Sequence, residues 1–332
     1  MDIRDYLSDD GQAVLTLCSG FALPQGPEAE GLEPFKLSEW NQLARQIQDS
    51  PFKTPAGLQG QASAELAEGL SVPVEQAERI AKLLDRAGRL ALELEGLFAK
   101  GMWAVTRVDE QYPPHLRKTL KHQAPSVLFG AGEIRLAQRG GVAVVGSRDL
   151  DEAGVAFAQA VGRKLAAAKL PVVSGGARGS DRVAMGGALE AGGEAVGVLA
   201  DSLERTVRQP DLRQLLLDGQ LALLTPYAPT AGFSVGAAMG RNKLIYGLAE
   251  FSVVVSSDFQ TGGTWAGAVE ALRAGWCPVF VREAPEAPTG NGALVKMGAV
   301  PVPAQALTAI EDLAQWLREH AQAKPREQDL FS

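Results

Sequence analysis

Four short segments of this chain gather residue types that can hold an anion. In the first, Gly146-Ser147-Arg148 follows the apolar run VAVVG (142–146). Glycine permits a tight turn, the serine hydroxyl can donate to an anion, and the arginine guanidinium offers a two-pronged fork for phosphate. A structural ion pair is the competing use of Arg148. The second segment, SGGARGSD (174–181), contributes Ser174, Gly175, Gly176, Arg178 and Gly179, with Ser180 or Asp181 placed to cap the following helix. Glycines in such density cost chain entropy, which points to close backbone approach to a ligand; a tight turn alone is the plainer alternative. The third is Arg241-Asn242-Lys243, read as lying just before a helix that carries Leu244, Ile245 and Leu248. These are polar groups suited to a polyanion. In the fourth, Gly262-Gly263-Thr264 opens a helix, whose first N–H groups favour negative charge. Phe259 and Trp265 flank it and could stack on bases, or equally pack in a core or interface.

The motifs that would turn such loops into an enzyme are missing from these segments. No Gly-Lys-Ser/Thr ends the glycine loop, so it is not the phosphate loop of an ATPase, and the three-glycine dinucleotide fingerprint is not met. His115 and His122 lie outside the α/β region and have no cysteine nearby, so they read as surface or packing residues. Cys18 and Cys277 cannot build a disulfide framework and have no metal-ligand spacing. Asp149, Asp181, Asp258 and Glu270 fall near the loops, but nothing in the sequence pairs them for acid–base work. The expectation is a non-catalytic binding site with no cofactor and no metal.

The elements that must position these loops form two regions. Residues 1–100 are expected to be a small helical domain of sterile-alpha-motif (SAM) or helix–hairpin–helix type. Within it, Ser38 is read as the cap of one helix, and Ile80, Leu83, Leu84, Leu90, Leu94 and Leu97 mark helical faces up to Gly101. Residues 101–140 read as a connecting segment, extended through YPPHLRK (112–118) and with a short strand in PSVLFGAG (125–132). From 141 to 305 short apolar runs alternate with helical patterns. Strands that are apolar throughout are buried on both faces, so the fold class is α/β with a parallel sheet between helix layers. In such a sheet ligands bind beyond the carboxyl ends of the strands, where all four segments should converge. Residues 306–332 are expected to be a terminal helix and a loose polar tail. A formal net charge of -7 argues mildly against nucleic acid as partner, although a few convergent arginines can make a basic site on an acidic protein. The N-terminus has no basic-then-apolar pattern and no apolar run is long enough to span a bilayer, so the default location is the cytoplasm, away from the membrane.

Taken together, LFGAG, VAVVGSRD, VVSGGARGSDRVAMGGALEAGGEAVGVLA, GRNKLIYGLAE and FSVVVSS…GGTWAGAVEAL resemble the DprA/Smf family of DNA-processing proteins over residues 100–302. The resemblance implies a Rossmann-like domain that binds single-stranded DNA, forms a homodimer, and assists loading of a RecA-type recombinase in DNA recombination and natural transformation. It places the family's glycine-serine-arginine turn on Gly146, Ser147 and Arg148, its serine-glycine loop on Ser174–Asp181, and its arginine-asparagine pair on Arg241 and Asn242. The chain departs from the pattern at Ala184-Met185, where an alanine-histidine pair is usual, and at Gly263–Ala268. It is also expected to lack the C-terminal winged-helix domain of many members. These departures leave a divergent paralogue open. The alternatives are a nucleotide-binding protein, a nucleotide phosphoribohydrolase-like enzyme, or a nucleotide sensor in a defence system. The hydrolase-type motif is only partly present, because Glu270 follows Thr264 by six residues where that motif needs three.

Overall fold

The computed structural model describes residues 3–24, 26–29 and 31–322. Its frame is one nine-stranded sheet in the order β1-β2-β6-β5-β4-β3-β7-β8-β9. The strands are β1 Met102–Thr106, β2 Val127–Gly132, β3 Val142–Val145, β4 Val172–Ser174, β5 Ala195–Val198, β6 Leu221–Thr225, β7 Phe251–Val254, β8 Val279–Glu283 and β9 Val300–Pro303. Strands β3 to β9 run parallel, while β1 and β2 add antiparallel at the β6 edge. The central parallel strands are short and mostly apolar, and β3, β5, β6 and β7 are buried along their whole length. Helices on both faces supply that cover, as an α/β fold of parallel strands requires. The fold is therefore the Rossmann-like class expected.

The stretch read as a connector, 101–140, carries more structure than its sequence suggested. It supplies β1 and β2 to the sheet. The Pro-Pro sequence starts a helix, Pro114–Leu120, where an extended run was expected. Pro114 takes the first helical position, where a missing N–H costs nothing and a fixed φ assists.

Two apolar cores divide the molecule. One, in the N-terminal helices, gathers Trp40, Leu43, Ile47, Leu66, Ile80 and Leu83. The other lies on the sheet and includes Leu90, Leu94 and Leu97. The helical pattern over 75–101 is thus two helices, Val74–Leu84 and Ala87–Ala99, serving different cores. At the break, buried Arg86 donates to the carbonyls of Thr16, Ser19 and Phe21. Burial without a carboxylate partner lowers its pKa to about 10. Ser38 does not cap its helix: Leu37–Asp49 starts one residue earlier, and Glu39 accepts the Lys36 N–H at 2.7 Å.

On the other edge, the helix Leu313–Gln322 buries Leu313 and Leu317 in the sheet core and sets Trp316 against Phe280, with ring centroids 5.8 Å apart. The polar tail expected after it, 323–332, lies outside the described residues. Beneath this edge, Arg282 is fully buried on β8 and clasps Asp151 through both oxygens, at 3.0 and 3.1 Å. Asp151 also caps the helix Glu152–Ala167. The Arg282 guanidinium holds its carboxyl below the ordinary value of 3.8. This clasp fixes the start of the helix that follows β3, and with it the turn that carries Ser147 and Arg148.

Candidate functional site

From β3 the chain proceeds outward through β4, β5 and β6, then crosses back to lay β7 on the opposite side of β3. The two crossover directions diverge at this point, leaving a crevice beyond the carboxyl ends of β3 and β7. A cleft of about 400 Å³ occupies it. Gly146, Ser147 and Arg148 form one wall, Arg241 and Asn242 the facing helix, and Gly262, Gly263 and Thr264 the helix start that closes the rim. All four segments thus reach the crevice, but Lys243 and most of the glycine loop do not line it.

The wall is locked by backbone contacts. Ser147 donates its N–H to Ser256 O at 2.9 Å, which ties the turn after β3 to the turn after β7. Its carbonyl accepts the Ser180 N–H and hydroxyl, both at 3.2 Å. Arg148, by contrast, is exposed at the mouth.

The glycine loop sits mostly behind the cleft and not in it. The Ser174 hydroxyl is buried and donates to Val144 O at 2.6 Å, so it has no proton to offer a phosphate. The Gly175 N–H is taken by Asp181 Oδ2 at 3.0 Å. A Cβ at Gly175 would lie 1.9 Å from the Arg241 guanidinium, so glycine here makes room for that arginine. Gly179, at φ 88, lies under the Ser147–Arg148 backbone, where a Cβ would meet Ser147 O at 2.4 Å. Gly176 and Arg178 do not line the cleft either; exposed Arg178 pairs with Asp149 at 2.7 Å. From this loop, Ala177 and Asp181 face the ligand space.

Arg241 and Asn242 are within a helix, Val235–Leu248, and not before it; Ser234 caps its start. Helical geometry then separates the trio. Arg241 and Asn242 face the cleft, whereas Lys243 turns to a second groove with Lys36 and Tyr227. Asn242 Nδ2 donates to Gly263 O at 3.2 Å and braces the rim helix Gly262–Ala274. Arg241 is only 7% exposed and donates from Nη1 to Val198 O at 2.6 Å. Its Nε and the buried Tyr246 hydroxyl, both in cleft-lining residues, have no protein partner. Burial lowers the Arg241 pKa, partly offset by the Asp181 charge. Burial likewise raises Asp181 to about 6, against the pull of Arg241 and of the Gly175 and Ala177 amides.

The two aromatic candidates are not in the cleft. Phe259 and Trp265 pack edge-to-face with centroids 5.2 Å apart, and Trp265 lines a shallow groove with Glu270. The apolar lip that sequence reading missed is Phe233, Val235 and Met239, which are 55%, 72% and 43% exposed at the cleft. The one available signal was Phe233 in a Gly/Ser-flanked turn just before the helix cap. Among the described residues, no group of three or more His, Cys, Asp or Glu could hold a metal ion.

A largely parallel α/β sheet with a glycine-walled crevice at its switch point defines a Rossmann-like protein. Within that class the chain belongs to the DNA recombination-mediator protein A family, whose model matches residues 103–317. It is 30% identical over 237 residues to Protein Smf of Escherichia coli, covering 67% of this chain and 61% of that protein. It is 29% identical over 228 residues to a putative DNA processing protein DprA of Mycobacterium tuberculosis, covering 59% of this chain and 58% of that one. The chain thus spans less than two thirds of the length of these relatives. Its fold is similar to the X-ray structure of DNA processing protein A from Streptococcus pneumoniae, with a TM-score of 0.58 and 22% identity, over 83% of this chain and 98% of that one. A structure of DNA processing protein A from Helicobacter pylori, described for its single-stranded DNA binding mode, matches with a TM-score of 0.52 and 20% identity, over 66% of this chain and 97% of that one.

Proposed function

We propose that this chain binds single-stranded DNA in the switch-point cleft and acts there as a recombination mediator. The observation that carries the reading is the make-up of the cleft. A buried arginine with an unpaired Nε and a buried unpaired tyrosine hydroxyl form the floor, and a helix N-terminus and exposed Arg148 form the rim. The rim groups are donors for phosphate oxygens, and the Arg241 guanidinium adds positive charge beneath them. The apolar lip at Phe233 and Met239 gives bases a surface to stack on, which requires no particular sequence. Glu270 lies outside the cleft, so the carboxylate that a phosphoribohydrolase-like reading needs is misplaced. Assembly as a homodimer, a RecA-type recombinase as protein partner, a part in natural transformation and a cytoplasmic location complete the proposal through family membership. No helix among the described residues is long and apolar enough to cross a membrane.

The test is equilibrium binding of a labelled single-stranded oligonucleotide at two salt concentrations. Arg148→Ala should bind roughly fivefold more weakly at low salt, with a log–log salt slope shallower by about 0.7, as expected for one lost phosphate contact. Phe233→Ala should lose about 1–3 kcal/mol of binding through stacking, with little change in stability because the ring is half exposed. Arg241 is a poorer probe, since its removal also strips Val198 O of a donor. If the native chain fails to bind at low salt, the reading is wrong, and nucleoside monophosphates are the next ligands to offer.

A further inference from the structure

Away from the cleft, the helix Leu37–Asp49 meets the end of β1 and the helix Pro114–Leu120 along an open groove of about 750 Å³. Arg45, Arg107, Arg117, Lys121 and His122 line it around Asn41. Four permanent cations on one groove are notable in a chain of net charge -7. Among the described residues none of the four is in an ion pair with a carboxylate.

Neutral acceptors hold the guanidinium groups instead. Arg107 donates to Asn41 Oδ1 at 2.6 Å and to Ala124 O at 3.2 Å. Arg45 donates to Asn41 O at 3.1 Å, and Arg117 to Asp109 O at 2.8 Å. Asn41 Nδ2 in turn donates to His122 O at 2.8 Å and closes the set. The acids close by are committed elsewhere: Glu39 to Arg79, and the Asp109 carboxylate to Ser8 and Thr106. Each guanidinium has five N–H donors, so these bonds orient the groups without using up their donors or their charge. Lys121 adds a strained backbone, φ 51 with ψ -120, a conformation costing about 1–3 kcal/mol for a residue with a side chain. The fold accepts that cost at an exposed lysine on the groove's edge.

Shared elements relate the groove to the cleft. The helix Val235–Leu248 is a wall shared by the cleft and a second groove of about 590 Å³, into which Lys243 and Lys36 face. That second groove is bordered by Leu37 and Gln123, the sequence neighbours of Ser38 and His122 in the basic groove.

We propose that the Arg45–Arg107–Arg117–Lys121 groove is a second phosphodiester-binding site, which takes the backbone of a single strand after it leaves the cleft. It rests on the single-strand reading of the cleft. The cationic, open lining fits backbone phosphate and not a buried base.

The test compares the native chain, the cleft variant Arg148→Ala, and the groove variant Arg45→Gln/Lys121→Gly. Lys121→Gly removes charge and backbone strain together, and an unchanged denaturant midpoint for the double variant separates weakened binding from misfolding. Oligonucleotides of about 6 and about 30 nucleotides separate a single subsite from a path longer than one. The groove variant should bind the short strand as the native chain does. It should bind the long strand roughly fivefold or more weakly, with a salt slope shallower by about 1.4 for two lost contacts. The cleft variant should weaken both lengths. Equal affinity and slope for the long strand in native and groove variant would overturn the second site and leave the cleft reading standing. No binding of either length by the native chain would overturn both. A groove that serves free phosphate would show inorganic phosphate stabilising the native chain but not the groove variant, with long-strand binding identical, and that too would overturn the proposal.

Discussion

Asp109→Ala should lower the unfolding free energy by at least about 3 kcal/mol, read as a shift in the denaturant midpoint. Asp109 is buried where the first helix of the chain meets the end of β1. Each carboxylate oxygen takes two donors. Oδ1 accepts the Ser8 N–H at 2.9 Å and the Ser8 hydroxyl at 2.6 Å; Oδ2 accepts the Thr106 N–H at 2.8 Å and the Thr106 hydroxyl at 2.6 Å. Hydrogen bonds to an ionised acceptor contribute about 1.5–3 kcal/mol each, but bonds sharing one group do not add, so the sum is an upper limit. Removing the carboxylate leaves donors stranded in a dry contact, which costs more than the bonds themselves contributed. Ser8 also caps the helix Asp9–Cys18 by accepting the Gly11 N–H, so its hydroxyl is held in place from both sides. Asp109→Asn keeps one oxygen and should recover part of the loss. A midpoint shift equivalent to less than about 1 kcal/mol for the alanine variant would mean that water replaces the carboxylate without penalty.

Much of this architecture is legible in the sequence, and the exceptions have physical causes. The parallel strands read clearly because β3, β5 and β7 are buried on both faces and so are apolar at nearly every position, Ser252 of β7 being the polar exception. β2 is legible as the short strand in PSVLFGAG, but β1 is harder, since it sits in a stretch whose prolines dominate the local pattern. The cleft's walls at Gly146–Arg148 and Gly262–Thr264 are legible because each lies between a strand and the crossover helix that follows it. The sequence places the Arg241 trio before a helix, whereas the fold sets it inside one. Once the helix is known to begin at Val235, the offset of two residues between 241 and 243 puts them on different faces. No local rule says that Ser174 and Gly175 face inward. That depends on Val144 O and Arg241, which approach from elements distant in sequence. Phe233 was missed for a related reason: its turn has no periodicity, and only the folded crevice gives the ring a role.

Asp181 makes the folded state sensitive to pH in the direction opposite to most carboxylates. Desolvation raises its pKa from 3.8 to about 6 in the folded chain, so folding favours its protonated form. A group raised in this way contributes stability that is fully present below its unfolded value and is lost as pH rises through the folded one. Asp181→Asn cannot titrate, and the other acids are common to both proteins, so the difference in stability between variant and native chain isolates this one group. Between pH of about 4.5 and about 7.5 that difference should move in favour of the asparagine variant by about 2 kcal/mol, nearly all of it before about pH 6.5. The asparagine carbonyl can still accept the Gly175 N–H, so any fixed cost of the substitution shifts the whole curve without changing its slope. A flat difference would show that the carboxylate is fully compensated by Arg241 and the loop amides. The same variant bears on the cleft, because Asp181 lines it as a negative charge facing any incoming phosphate. At neutral pH Asp181→Asn should therefore bind single-stranded DNA more tightly than the native chain, and the advantage should shrink as the native aspartate takes up its proton below about pH 6.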